Sequence, residues 1–541
     1  MREIKLKNLL FTFYFLLFIC SVVWSLWVAG LFGQDLVNVG GWSLFVRFFV
    51  AVVCPDFSGE FLLLTMEAML KTLAYALCGT FFCVVIGFVG GVLSSQVWWS
   101  VGGGRFYSAP WLLVRGVLSI PRAIHELIWG LFFVNIFGLD PLVAVLAIAI
   151  PFGAITAKVF SEILDNTPQQ QLFALVNSGV EPLSAFAYSI FPQAFPNLLS
   201  YSFYRFECSI RSATVLGIIG AGGLGYQILL SLQSLRYEQM WTLMFALLLL
   251  SGGTDFWSAL LRQGLGVPSR LDLNVLNLQQ PYSRSLHHNL LVNFSLLFGA
   301  ILLIFSFWYV KADFTKLWSI RTAQLLVRVI QDAFPNQWID LDQLLTLCTQ
   351  TLAMSILATT MAGLGGILLS FLAARRSGGV CEKIQTSFTR FLLLFSRAVP
   401  EPIWALIFLF VLFPGILPGA IALGLHNLGI LGRLMAEVIE NLDEKPLRSL
   451  QVLGATNSQV FLYGVLPSTL PRFFAYILYR WEVCIRATVI VGLVGAGGLG
   501  RLLTEQLSSF DYKGLLTTLI VFMGLTFIVD MISGEVRRSL R

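Results

Sequence analysis

The chain has 541 residues, of which 57% are hydrophobic and only 12% charged, with a formal net charge of +6. A charged share about half that of an ordinary soluble domain excludes a water-soluble enzyme and points to a bilayer. The small positive balance sits mainly in loops and at the ends, which reads as membrane orientation and not nucleic-acid binding. The eight cysteines form no CxxC pair and give no metal or disulfide signal.

In chain order, Lys5 and Lys7 precede an apolar run from about 9 to 31. It is longer than a signal-peptide core, and Trp24 and Trp27 stand where a cleavage site needs small residues, so it reads as an uncleaved first span. At ~20 apolar residues per crossing, further spans are predicted at 62–95, 110–137, 141–164, 196–225 and 239–261. A second set follows at 290–310, 344–374, 388–413, 415–438, 471–500 and 514–533. The fold class is thus an all-α polytopic membrane protein with about twelve transmembrane helices. Its domains are a first repeat, 1–265, a polar cytoplasmic linker, 266–289, and a second repeat, 290–541.

The repeat is direct. From Arg122 onward, adding 275 to a residue number gives its counterpart, and 14 of 30 positions in 196–225 are identical to 471–500. Six spans per half make the two six-helix repeats parallel, related by an axis along the membrane normal. Lys and Arg then place both termini in the cytoplasm, except for Arg321 and Arg328. Those two fall in an outside stretch, 316–334, that reads as an amphipathic surface helix.

Between the fourth and fifth spans of each half lies a matched loop. Gly179 and Gly454 are each followed by a proline thirteen residues later, Pro192 and Pro467, and then by Pro196 and Pro471. This punctuation predicts a short helix, a glycine turn, another short helix and a proline-initiated span. The bland alternative is an ordinary re-entry loop; the functional one is a docking element for a cytoplasmic partner, present twice for a symmetric dimer.

Charges inside the spans mark candidate pathway residues. Glu207 and Arg211 lie i,i+4 on a helix, as do Glu482 and Arg486, with Arg205 and Arg480 two residues before each glutamate. Charges at such depth must pair or face a cavity. One reading is a bridge that locks the fifth spans. The other is a pathway in which Arg meets an anion through its planar fork.

Arg122 with Glu126, and Arg397 with Glu401, repeat the spacing in the third span, as a helix pair or a gate. Lys158 with Glu162, and Arg433 with Glu437, do so near the end of the fourth and read as structural. His125 aligns with Pro400, and the other histidines do not repeat.

The glycine runs Gly220, Gly222, Gly223, Gly225 and Gly495, Gly497, Gly498, Gly500 satisfy G-x-G-x-x-G. They end an apolar helix and occur twice, which excludes a dinucleotide fold. Close packing and a broken, flexible lining remain open. No catalytic constellation, metal cluster or phosphate-binding loop is present in the sequence.

At these residues the chain resembles importer-type ABC permeases. The Gly–Pro loop is similar to their EAA loop, although Phe173-Ala174-Leu175 and Arg448-Ser449-Leu450 stand where Glu-Ala-Ala is usual. The stretches from Arg397 to Ala405 and from Arg480 through the second glycine run resemble the phosphonate branch, as does Arg122 to Gly130. The resemblance implies a type I ABC importer (MetI-like) permease fold with two permease units fused in one chain. It implies alternating access driven by a separate cytoplasmic ATPase dimer that holds ATP and Mg, an external solute-binding protein, and a phosphorus oxyanion as cargo. It implies no cofactor in this chain, and a bacterial cytoplasmic (inner) membrane location. The rivals are a major-facilitator-like secondary transporter and an ABC permease for another small solute.

Overall fold

The computed structural model describes residues 16–33, 36–100, 108–265, 290–334, 340–375 and 379–539. The linker 266–289 and the N-terminal lysines lie outside them. Apart from one isolated bridge, Val37 to Leu412, the regular structure of the described residues is helical. The helices are α1 (Leu16–Val28), α2 (Trp42–Val50), α3 (Gly59–Ser94), α4 (Gln96–Ser100), α5 (Ser108–Ala123), α6 (Glu126–Phe137), α7 (Pro141–Asp165) and α8 (Gln170–Asn177). Next come α9 (Pro182–Leu216), α10 (Gly223–Gln233), α11 (Tyr237–Leu265), α12 (Leu290–Val310), α13 (Ile320–Ala333), α14 (Leu341–Ala373) and α15 (Val380–Ala398). The chain ends with α16 (Glu401–Phe408), α17 (Ile416–Glu440), α18 (Glu444–Val452), α19 (Asn457–Val460), α20 (Leu466–Leu493), α21 (Gly498–Ser508) and α22 (Tyr512–Ser539). Among the described residues eight helices are long and apolar enough to cross a bilayer, and three bent pairs raise the number to eleven. The first of the twelve expected spans lies around α1, only part of which is described.

Two compact units emerge. One holds Cys54–Arg328; the other holds Val329–Arg541 with the described residues up to Val53. These packing units differ from the sequence repeats 1–265 and 290–541. In the Cys54–Arg328 unit α12 packs on α3 and α11, with Phe307 edge-on to Phe81 and Phe298 edge-on to Trp257. In the other unit the strand-like stretch before α2 bonds to the turn after α16, through Asn38 N–H to Val411 O and Phe413 N–H to Leu36 O. The first apolar segment of each repeat therefore joins the compact unit of the other repeat.

Within each unit the closest helix pair is the same in repeat terms: α3 on α7, and α14 on α17. Small residues permit it. A Cβ at Gly87 would lie 2.4 Å from Thr156, one at Gly91 2.7 Å from Phe160, and one at Gly424 2.2 Å from Met361. Between helices in lipid, such close approach supplies the dispersion contact that hydrophobicity cannot.

Matched ion pairs close the same end of both units. Arg115 faces Asp165 at 3.6 Å, its counterpart Arg390 faces Glu440, and each arginine Nε also donates to the last carbonyls of α3 or α14, at Ser94 and Ala373. The arginines thereby satisfy helix-end carbonyls that have no intrahelical partner.

Two expectations need correction. The third span of each half is not one straight helix: α5 meets α6 at 85°, and α15 meets α16 at 92°. In the second half Val399-Pro400-Glu401-Pro402 removes two backbone donors and forces Val399 and Pro400 to extended ψ values of 121° and 151°. In the first half His125 takes ψ 148° and caps α6 through its own ring. The second correction concerns the fifth span. α9 begins at Pro182, and Pro192 and Pro196 lie inside it; Pro471 likewise lies inside α20. A single proline deletes one helical bond, and a long packed helix absorbs that loss.

The stretch 316–334, expected to be a surface helix, forms α13 over Ile320–Ala333, preceded by a tight turn at Phe314–Trp318. Trp318 and Ile320 are almost fully exposed. Lys316 pairs with Asp140, and that carboxylate holds the ammonium above its usual range.

Candidate functional site

The third-span break places a glutamate in the first turn of α6 and of α16, and both are buried. Because the helix is interrupted between them, Arg122 and Glu126 no longer share a helical i,i+4 register, nor do Arg397 and Glu401; each arginine ends the preceding helix. The glutamates meet histidines. His125 Nε2 lies 3.1 Å from Glu126 Oε2, and Ser212 of α9 donates to Glu126 Oε1 at 2.9 Å. In the second half His426 Nε2 lies 3.2 Å from Glu401 Oε1, and Nδ1 lies 3.1 Å from the Val399 carbonyl. The positional shift of 275 aligns His125 with Pro400 and His426 with Pro151. The histidine has changed position between the halves, yet it contacts the same glutamate.

On the fifth span, Glu207 reaches Arg262 of α11 at 3.3 Å, and Ser258 accepts from the same guanidinium nitrogen at 2.5 Å. Its counterpart Glu482 reaches Arg537 of α22 at 2.6 Å. Arg537 is residue 262 shifted by 275, so the cross-helix pair is duplicated. In the second case the ions are close but not aligned as a hydrogen bond. Arg211 contacts Cys208 at 3.5 Å. Arg486 donates to the Glu482 backbone carbonyl at 3.0 Å and faces Asp530 at 3.8 Å. Beside the i,i+4 residue on its own helix, each glutamate thus meets an arginine from the last span of its half.

Arg205 and Arg480 differ in company. Arg205 is buried, donates through Nε (2.9 Å) and Nη2 (2.5 Å) to Tyr201 Oη, and lies over the rings of Tyr201, Phe152 and Tyr204 at 5.1, 5.2 and 5.8 Å. No described carboxylate reaches it. Cation–π contact of this kind is worth ~2 kcal/mol or more when desolvated. Arg480 is half-buried and donates to Asn427, which takes the place of Phe152 in the repeat.

The glycine runs break their helices. Gly220, Gly222 and Gly223 have φ of 100°, 87° and 78°, and Gly495, Gly497 and Gly498 have 93°, 83° and 72°. α10 departs from α9 at 59°. The turn is anchored from the second span: Leu224 N–H donates to Thr72 Oγ1 at 2.8 Å and Leu499 N–H to Thr351 Oγ1 at 2.9 Å. Gly225 serves contact instead, since a Cβ there would fall 1.8 Å from the Thr214 carbonyl. The run thus breaks the helix at three glycines and permits close packing at the fourth.

In the matched loops, α8 ends at Gly179 (φ 86°) and α18 at Gly454 (φ 88°), with Val180 N–H bonding back to Leu175 O and Ala455 N–H to Leu450 O. These are left-handed helix stops. Pro192 lies inside α9, and Pro467 sits in the first turn of α20. Four residues before each of these prolines, at the same repeat position, stand Tyr188 and Tyr463, 81% and 75% exposed. Their matched exposure is not legible in the Gly–Pro punctuation of the sequence. Also missed were His426, Arg262, Arg537 and the two threonine anchors. For Arg262 and Arg537 the shift of 275 was itself a usable signal.

The chain is similar to known proteins over most of its length. Residues 103–266 and again 366–541 match the family described as binding-protein-dependent transport system inner membrane component. A phosphate-import permease protein, PhnE, of Mycolicibacterium smegmatis is 27% identical over 428 residues, which cover 79% of this chain and 78% of that protein. The phosphite transport system permease protein PtxC of Stutzerimonas stutzeri is 35% identical over 46% of this chain and 88% of its own length. An ABC transport system permease protein, p69, of Mycoplasma pneumoniae is 22% identical over 92% of this chain and 90% of that protein. The family matches cover more than half of the sequence: this chain is a multi-pass member of the binding-protein-dependent transport system inner membrane components, with the family domain present twice.

Proposed function

We propose that this chain is the membrane subunit of an ATP-driven importer for a phosphorus oxyanion, such as a phosphonate, phosphite or phosphate. The observation that carries the cargo class is Arg205. It is a buried cation within the helical bundle, held by a phenol and aromatic faces instead of a carboxylate. A passing anion is the charge that such a site lacks, and a guanidinium can donate two hydrogen bonds to phosphoryl oxygens. The names of the phosphate and phosphite relatives support the same class. Affinity at this point is low in the proposal, with capture left to a separate external binding protein.

ATP and Mg belong to a cytoplasmic ATPase dimer. It docks on the loops around Gly179 and Gly454, and its closure rocks the two halves between inward and outward access. Both termini are cytoplasmic in this arrangement.

The test is ATPase activity of this chain purified with its own ATPase and binding protein, across a phosphonate, phosphite, phosphate and an amino acid. Stimulation by a phosphorus oxyanion, lost in Arg205→Gln with assembly intact, is the expected result. Stimulation by the amino acid alone overturns the cargo class and leaves a permease for another solute.

A further inference from the structure

We propose that Glu401 and His426 form a proton-binding site at the break of the third span in the second half, and that its counterpart in the first half does not hold this proton. The argument is one of donors and acceptors. His426 Nδ1 faces the Val399 carbonyl at 3.1 Å, and a carbonyl only accepts, so Nδ1 carries a hydrogen. His426 Nε2 faces Glu401 Oε1 at 3.2 Å. A neutral imidazole has one N–H, already used at Nδ1. The Nε2–Oε1 contact therefore contains a further proton, carried on the ring or on the carboxyl group. In either form the couple has no net charge.

The first half is wired differently. Leu127 N–H donates to His125 Nδ1 at 3.3 Å, so that nitrogen is an acceptor. The single hydrogen of a neutral ring then sits on Nε2 and points at Glu126 Oε2, 3.1 Å away. Ser212 Oγ–H serves the other oxygen. Glu126 remains a carboxylate and the couple carries one negative charge. At the repeat position of Ser212 the second half has Ala487, which has no hydroxyl to offer. The proton shared with His426 occupies the glutamate there.

The proton also has mechanical work. His426 on α17 ties the end of α15, at Val399, to the first turn of α16, at Glu401, across the 92° bend. Both ties exist together only while the extra proton is present. The charged and titratable groups on the elements packed against α17 here are Arg397 of α15, which abuts Gly429, Glu401 of α16, and Arg480 and Cys484 of α20. α14 contributes the uncharged Thr359 beside Cys484. Removing the proton leaves one tie and a carboxylate facing a ring lone pair, so the bend in the second half loosens while the first half is unaffected.

The chain has four histidines, of which His287 and His288 lie in the linker. The experiment uses the full chain with H287Q and H288Q, labelled with ¹⁵N-histidine and placed in lipid nanodiscs at neutral pH. Nitrogen spectra report which ring atoms carry hydrogen. The expected result is one neutral ring protonated at Nε2, and one ring protonated at both nitrogens, or at Nδ1 alone with Glu401 protonated in the carboxyl ¹³C spectrum of the same chain labelled with ¹³C-glutamate; a ring protonated at Nδ1 alone beside an ionised Glu401 overturns the proposal. Two rings both neutral and protonated at Nε2 overturn the proposal. In E401Q the glutamine amide can donate to Nε2, so the second ring should become neutral and Nδ1-protonated, with the first unchanged. An imidazolium that persists in E401Q also overturns the proposal. The spectra of the chain with Glu401 in place decide alone, whether or not E401Q folds.

Discussion

Arg262→Met offers the sharpest test of the intramembrane packing. Arg262 and Glu207 have side chains 9% and 4% exposed, and the guanidinium also bonds Ser258. Removing one member of a buried ion pair strands the other and costs ~3–5 kcal/mol, whereas replacing both with apolar residues of similar volume is close to neutral. The structure sets an order among variants. Arg262→Met should cost the full amount, because Glu207 sits deep in α9. Glu207→Gln should cost less, since Arg262 lies one turn from the end of α11 and its long stem can carry the charge toward the interface. The double variant Glu207→Leu with Arg262→Met should return near the parent. In the second half Arg537→Met should cost less than Arg262→Met, because Arg537 is 27% exposed and its contact is poorly aligned. Thermal unfolding of the purified chain in detergent, followed by tryptophan fluorescence, gives the ranking. A double variant as unstable as Arg262→Met, or an Arg262→Met chain within ~0.5 kcal/mol of the parent, refutes the reasoning.

Replacing Thr72 or Thr351 with Val removes the acceptor of a buried N–H at the glycine turn and should cost ~1–3 kcal/mol each, read as a lowered unfolding midpoint and faster amide exchange at Leu224 or Leu499. Gly225→Ala should prevent assembly, its Cβ meeting the Thr214 carbonyl, while Gly253→Ala, with open space, should leave yield unchanged; size-exclusion profiles compare the two. Gly179→Pro with Gly454→Pro should abolish transport without loss of assembly, and unchanged uptake would sink the coupling role of these loops. Acid should release the tie between the start of α11 and the stretch before α3. The Ser58 backbone N–H, with Ser58 and Gln239 side chains, holds the Asp56 carboxyl below its usual range. That contribution is present above the unfolded value and lost as pH falls through the folded one, so hydrogen exchange around residues 56–58 should rise only on acidification below the ordinary carboxylate range.

Duplication made much of this molecule legible. Once the shift of 275 was fixed, Glu207 implied Glu482, and Gly179 implied Gly454. Apolar runs located most of the spans, since hydropathy and length are local properties. Partners were less legible because they depend on which helix lies across the contact. Spacing on one helix suggested Arg211 for Glu207, yet α11 delivers Arg262 to it. The third span looked continuous because Ile124-His125 and Val399-Pro400 interrupt it without ending the apolar run, and hydropathy does not register an 85° or a 92° turn.

The histidines show what duplication can reveal and a one-to-one alignment conceals. Aligned by number, His125 faces Pro400 and His426 faces Pro151, and each looks like a residue of one half only. In space both rings contact the matched glutamate, one from the bend itself and one from the following helix. Two halves that share an ancestor have thus kept a histidine–glutamate contact while changing its supplier. The exchange is coherent at each site. Where histidine leaves the bend, proline takes over the break by removing a backbone donor. Where proline leaves the fourth span, the histidine that replaces it reaches back to the same carboxylate. What has been retained is the company of a buried glutamate at a helix break, and the supplier's ring orientation now sets how many protons each half holds there.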